Sequence, residues 1–242
     1  VSGIVAIERI LEEELMNDEQ QARVYAQTDF EEPHSRFIQV FQERFGKQTV
    51  AGQVLDLGCG PGDISIRFAK AYPDCTVHGI DGSLAMLSYG HLALAAEPVA
   101  IANRIHLTYG RLPDITLPRK RYQIIISNSL LHHLPDPSIL WKTITRFAAS
   151  KTLVMIMDLL RPESLQEARH LADQYAGGEP EILQRDFYNS LLASFTLKEI
   201  RQQLAIAGLE HFWIERISDR HGVVAGVMGA TKKNTGKRLG LY

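Results

Sequence analysis

The chain has 242 residues, 45% hydrophobic and 22% charged, with a formal net charge of -2. That length suits one α/β domain carrying a small insertion, with enough chain to bury a sizeable core. The charge gives no general pull toward polyanions, so nucleic acid is not an expected partner, and no apolar run reaches the ~18 residues of a membrane-spanning helix.

Residues 3–16 place Ile4, Ile7, Leu11 and Leu15 on one side of a helix, with acids where a secretory leader would carry basic residues. A second helical stretch spans about 18–45, with a break expected at Glu32-Pro33, because the residue before proline resists helix. QVLDLG (53–58) is a short apolar run ending in glycine and reads as a buried strand. Helix, strand and helix follow at 64–72, 76–81 and 83–95, the last with Ser83 as N-cap. Strands are expected at 104–110 and 122–128, a helix at 137–148 and a fifth strand at 152–160. This alternation predicts a mostly parallel sheet with helices on both faces.

A long helical region then covers 163–207, interrupted at 177–180 and stopped by Gly208. Two β-type runs, 211–218 and 222–230, predict an antiparallel hairpin at a sheet edge. The tail from 231 to 242 is polar and basic and is expected to be flexible. Cys59 and Cys75 make neither a disulfide framework nor a metal-type spacing, so a reduced, cytoplasmic setting is expected.

The segment VLDLGCGPGD carries the most chemical information. A strand runs into Gly58, Gly60 and Gly62, and the following helix offers unpaired N–H groups to a ligand. A dinucleotide loop would need a third glycine where Asp63 stands, and an acid facing a pyrophosphate is repulsive. A ligand with an ammonium and one carboxylate suits the loop better. Asp81, ending the second strand, can accept hydrogen bonds from both hydroxyls of a ribose, whichever nucleoside is bound.

VLDLGCGPGD, HGIDGSLAML and YQIIISNSLLHHLPDP together resemble the class I S-adenosylmethionine-dependent methyltransferase family, over about residues 35–160 and more loosely over the whole chain. The resemblance implies a Rossmann-like, doubly wound, mostly parallel seven-stranded sheet with a C-terminal antiparallel hairpin, and S-adenosyl-L-methionine as cofactor. It implies that Asp56, Gly58, Gly60 and Gly62 hold the methionine part, that Asp81 holds the ribose with Gly82 and Ser83 beside it, and that Asn128 approaches the methyl group. Met86 either packs on adenine or faces the core. Residues 1–50 are expected to form a helical lid in front of a methyltransferase domain at 51–230, with Tyr25 or Phe30 closing over the cofactor; ordinary packing of an amphipathic helix is the alternative. Two features depart from the family pattern. Gly110-Arg111-Leu112 lacks the usual adenine-reading acid, and Ala148-Ala149-Ser150-Lys151 replaces the usual turn before the fifth strand.

Methyl transfer from a sulfonium needs alignment and sometimes proton removal. The fourth strand is followed by Asn128-Ser129-Leu130-Leu131, not the signature of amino-group methylation on bases. No cysteine is placed for cytosine-carbon chemistry, no paired glutamates stand near the fourth strand, and no Asp-Asn pair follows Asp158 closely to hold a metal. A small-molecule acceptor remains, with no metal expected. His132 and Asp158 are the catalytic candidates at the ligand edge of the sheet. Residues 160–208 read as a substrate cover, with Arg161, Asp186, Tyr188 and Arg220 as candidate substrate contacts, or as a solvated polar face. Arg161, Arg185 or Arg220 near the methyl would instead favour a carboxy-S-adenosylmethionine synthase, and a pocket without room beside the methyl would favour a non-catalytic binding module.

Overall fold

The computed structural model describes residues 7–12, 18–46 and 50–229. Most of the helix expected at 3–16 and the tail at 231–242 lie outside these residues, and the described stretch 7–12 contains no helix.

Seven strands form one sheet among the described residues: β1 Gly52–Leu57, β2 Cys75–Asp81, β3 Ile105–Tyr109, β4 Tyr122–Asn128, β5 Ala148–Leu159, β6 Trp213–Arg216 and β7 His221–Val227. Their order is β3-β2-β1-β4-β5-β7-β6. The first five are parallel, and β7 runs antiparallel to both β5 and β6. The doubly wound, mostly parallel sheet expected from the sequence is therefore present, with the hairpin inserted so that β6 forms the edge.

Consecutive apolar residues build both faces, because neighbouring side chains on a strand point to opposite sides. Val54, Ile124, Ile126 and Met155 join Phe37, Phe41, Phe68 and Tyr72 on one face. Leu55, Ile125, Val154 and Ile156 join Trp141, Ile144, Phe147 and Leu204 on the other.

The helices are α1 Glu19–Gln27, α2 Glu31–Phe45, α3 Asp63–Ala71, α4 Leu84–Ala95, α5 Val99–Ala102, α6 Ser138–Phe147, α7 Leu165–Ala176, α8 Glu181–Ala193 and α9 Leu197–Ile206. The first break falls at Thr28–Phe30 rather than at Glu32-Pro33. Pro33 sits in the first turn of α2, where its missing N–H has no intrahelical partner to lose. A further break, absent from the sequence reading, separates α8 from α9. There Phe195 bridges Leu160, and Thr196 with Glu199 forms a capping box.

β7 carries small residues for a steric reason. A Cβ on Gly226 would lie 2.2 Å from Cδ1 of the Phe212 ring, which is buried. Gly226→Ala is expected to destabilise the fold by ~1–3 kcal/mol through overpacking, lowering the thermal midpoint by several degrees; an unchanged midpoint would show that the ring swings aside freely.

Candidate active site

The strand order reverses between β1 and β4, and ligands of open α/β sheets bind beyond the C-terminal strand ends at such a point. Asp56, Asp81, Asn128 and Asp158 all lie at these ends. A cavity of about 390 Å³ opens there.

Three glycines shape the loop beneath it. Gly58, Gly60 and Gly62 have φ of 71°, 51° and 81°, which L side chains rarely adopt. The loop is tied to β2 by bonds from the Gly58 and Cys59 N–H groups to the Ile80 carbonyl, at 2.8 and 3.1 Å. A Cβ on Gly60 would meet nothing within 4 Å, so this glycine faces open space. Gly62 does not line the cavity. It is the N-cap of α3, and a Cβ there would press on Leu107 at 3.1 Å, so its place is in packing the turn.

The two acids of the motif differ in burial, Asp56 buried and Asp81 half-buried, and are differently satisfied. Asp56 is 1% exposed and accepts a 2.6 Å bond from the Ser65 hydroxyl. Burial pushes its carboxyl up to about 7, against the pull of Ser65 and with help from the Asp81 charge. Asp81 accepts from the Gly60 N–H at 2.7 Å on Oδ2 and from the Ser83 N–H at 2.7 Å on Oδ1. Burial raises its carboxyl too, opposed by these two bonds. Asn128 Oδ1 is buried without a hydrogen-bond partner, and Asn128 lines the cavity with Gly82, Ser83 and Met86.

Asp63 lines the cavity and spends its carboxylate on α2 and α3. Its Oδ2 pairs with His34 Nδ1 and Arg67 Nε, each at 2.6 Å, and Arg67 also reaches Glu31 at 2.7 Å. Burial opposes its ionisation, but His34 and Arg67 hold its carboxyl below the ordinary range. This network pins α2 to α3. Glu32 reaches Arg220 at 3.2 Å and so pins the start of α2 to the β6–β7 turn. The corner between α1 and α2 forms one wall, where Tyr25 packs on Phe30 with ring centroids 4.7 Å apart.

The far end of the cavity is lined by His132, His133, Leu183, Asp186, Phe187 and Ser190. The two histidines sit on a short 3-10 turn, Leu131–His133. His132 Nδ1 bonds Asp158 Oδ1, and Asp158 is held by the Leu131 and Leu159 N–H groups at 2.6 and 2.7 Å. Burial alone would lower the His132 pKa, but Asp158 and Glu12 outweigh it and the net shift is upward. Asp158 itself stands behind His132 and does not line the cavity. Asp186 accepts a 2.6 Å bond from Gln21 Nε2, tying α8 to α1.

Two expected substrate contacts are placed elsewhere. Arg161 donates to the Ser194 carbonyl at 2.9 Å and pairs with Glu199 at 2.6 Å, so it clamps the α8–α9 break and does not line the cavity. Tyr188 falls on another face of α8, because the lining residues Leu183, Asp186, Phe187 and Ser190 follow helical spacing and position 188 does not. Arg220 does line the cavity; its guanidinium lies 3.3 Å from the Tyr175 ring centroid and is paired with Glu32 and Asp219. Sequence reading missed Glu12, whose Oε2 accepts from the Ser190 hydroxyl at 3.1 Å and whose Oε1 lies 3.4 Å from His132 Nε2. No local pattern marks it, since its neighbours come from distant parts of the chain. Ser190, by contrast, was legible from the helical period running through Asp186.

No helix among the described residues is long and apolar enough to cross a membrane. Comparison with known proteins agrees with this geometry. The chain is 31% identical over 116 residues to a trans-aconitate 2-methyltransferase of Methylobacterium radiotolerans, covering 48% of this chain and 40% of that protein. It is 34% identical over 88 residues to a protein of the same name from Mycobacterium tuberculosis, covering 36% and 30%. The matches thus span less than half the length of these curated relatives. Among solved structures, a SAM-dependent methyltransferase from Aquifex aeolicus superposes with a TM-score of 0.60 at 16% identity, covering 87% of this chain and 98% of that one. A plantazolicin methyltransferase in complex with a monoazolic desmethylPZN analog and SAH gives 0.59 at 16% identity, covering 86% and 95%. A family model described as a methyltransferase domain matches residues 26–211, and this chain, carrying the same fold and the glycine loop with its two acids, belongs to that methyltransferase family.

Proposed function

We propose that this chain binds S-adenosylmethionine and transfers its methyl group to a small-molecule acceptor. One observation carries the reading: a single cavity runs from the glycine loop and Asp81, past Asn128, to a separate polar end at His132, Asp186 and Ser190. A site that only stored the cofactor would not need room beyond Asn128.

The residues fit the cofactor. Asp56 is a buried acid whose bonded partner is a neutral hydroxyl, and a ligand ammonium supplies the countercharge it lacks. Asn128 Oδ1 is a buried acceptor awaiting a donor. Gly60 leaves open space for a ligand. In this reading Asp56, Gly58 and Gly60 hold the methionine part, while Gly62 shapes the turn behind them. Asp81 holds the ribose, Gly82 and Ser83 lie beside it, Met86 packs on adenine and Tyr25 closes the wall. The bound cofactor supplies a methyl group already activated on a sulfonium, so the chain's own task is alignment in a dry site. His132, Asp186 and Ser190 contact the acceptor, and Asp158 is a positioning residue that fixes the His132 ring.

The carboxy-S-adenosylmethionine synthase alternative wants an arginine free to hold a second carboxylate. Arg161 is clamped outside the cavity, and Arg220 already faces Glu32 and Asp219. The curated relatives named for trans-aconitate suggest a carboxylate acceptor, whereas the far end of this cavity carries Asp186. A panel of small acids, amines and phenols, scored by S-adenosylhomocysteine release, decides between acceptor classes. Mass spectrometry of any nucleoside that co-purifies tests the cofactor. S-Adenosylmethionine or its demethylated product is expected, and NAD would overturn the reading.

A further inference from the structure

We propose that Glu12, His132 and His133 form a binding site for one divalent transition-metal ion of the zinc class, at the acceptor end of the cavity. Glu12 Oε1 lies 3.4 Å from His132 Nε2 and 3.2 Å from His133 Nδ1. All three ligand atoms lie within 4.8 Å of one another. Glu12 Oε1 is buried and makes no hydrogen bond, so these contacts are not bonds drawn short by shared protons. They have instead the spacing of ligands around a common centre: metal bonds of ~2.0–2.1 Å at tetrahedral angles separate neighbouring ligand atoms by ~3.3 Å.

The surroundings match those of a metal site. Asp158 bonds the other ring nitrogen of His132, which leaves Nε2 as the coordinating atom, and Asp158 is itself held by two backbone N–H groups. A carboxylate behind a ligating histidine is the usual outer support of such ions, fixing the tautomer and ring orientation. Ser190 performs the same service for Glu12 through Oε2. Both histidines ride on one 3-10 turn, with ring centroids 4.2 Å apart. Glu12, Asp158 and Asp186 lie near one another; of the cations about them, Arg9 is spent on the carbonyls of Ala193, His132 and Leu134, and Arg185 pairs with Asp186 from the exposed side. A divalent ion adds positive charge where these acids gather. Three protein ligands leave a coordination position for water or an acceptor atom, the pattern of reactive rather than structural zinc sites. Soft or anionic acceptor atoms, such as a thiolate, are the class such an ion would hold.

The test uses the full chain, stripped with a chelator and titrated with Co²⁺ and with Zn²⁺ alone. One equivalent is expected to bind, and Co²⁺ is expected to show the intense visible absorption of four-coordinate geometry. Glu12→Gln and His133→Ala should each weaken Zn²⁺ binding at least ten-fold while leaving affinity for S-adenosylhomocysteine unchanged. Thermal melts confirm that each variant is folded, and either one alone suffices for the comparison. Absence of one-equivalent binding in the wild-type chain, or undiminished binding in a folded variant, overturns the proposal and leaves a hydrogen-bonded acid–imidazole cluster in its place.

Discussion

Asp81→Ala is expected to weaken S-adenosylmethionine binding at least thirty-fold, measured by isothermal titration of the purified chain. Each oxygen of Asp81 accepts one backbone N–H, from Gly60 and from Ser83. A carboxylate oxygen accepts two hydrogen bonds, so one place per oxygen is left for a ribose hydroxyl. Bonds to a charged acceptor are worth ~1.5–3 kcal/mol each, and losing two of them accounts for at least ~2 kcal/mol. The same substitution frees the Gly60 N–H, so the loop loses its tie to β2 at the point where the ligand must be met. Asp81→Asn separates the two effects. It keeps one acceptor oxygen and the loop bond but loses the charge and one acceptor, and an intermediate affinity is expected. Unchanged affinity in Asp81→Ala would reject the ribose assignment.

Asp56→Asn is expected to abolish tight cofactor binding and, at pH 8, to raise the melting temperature of the ligand-free chain. Burial lifts this carboxyl from 3.8 to about 7 in the folded chain. The unfolded chain releases its proton near the lower value. Between the two, the folded state binds more protons than the unfolded one, so stability falls as pH rises through that window and is level above it. The full shift corresponds to at most ~4 kcal/mol. Asparagine carries no such cost, so the variant and the wild type should melt alike near pH 4 and diverge by several degrees above pH 7. Cofactor affinity has the opposite sign. The ionised carboxylate is the form that holds an ammonium, so wild-type affinity should rise between about pH 6 and pH 7, and that rise should be missing in Asp56→Asn. Parallel melting curves for the two proteins across this range would show that Asp56 is not held protonated by burial.

The cofactor half of the site was legible because its information is local. A strand, three glycines, a helix start and an acid at the next strand end occupy one stretch, 56–83, whose geometry follows from short-range rules. The sheet was legible for a related reason: runs such as Ile124–Ile126 need two covered faces, and alternating helices provide them. The end at His132 was not. Glu12 reaches His132 because residues 7–12 bond to the turn after β4 and to the end of α8, and no spacing in the sequence records that. Arg161 looked like a ligand contact from its place after β5, but the break at Ser194–Thr196, unseen in the sequence, captures it with a carbonyl and Glu199. Tyr188 stands in the same polar run, but a helix that turns Asp186 and Ser190 to the cavity turns position 188 elsewhere. Pro33 misled by its general reputation, because at the first turn of a helix it costs no bond.

The two ends of the cavity are thus written in different ways along the gene. One is a single contiguous phrase; the other is assembled from residues before α1, the turn after β4 and one face of α8, with Glu12 outside the 26–211 span of the family match. Mutation, insertion or exchange of the chain before α1 or of α8 can therefore remodel the end at His132 while the loop from Asp56 to Asp81 stays intact. Under the proposed function, such an architecture lets a lineage change what it methylates without first having to rebuild how it holds the methyl donor.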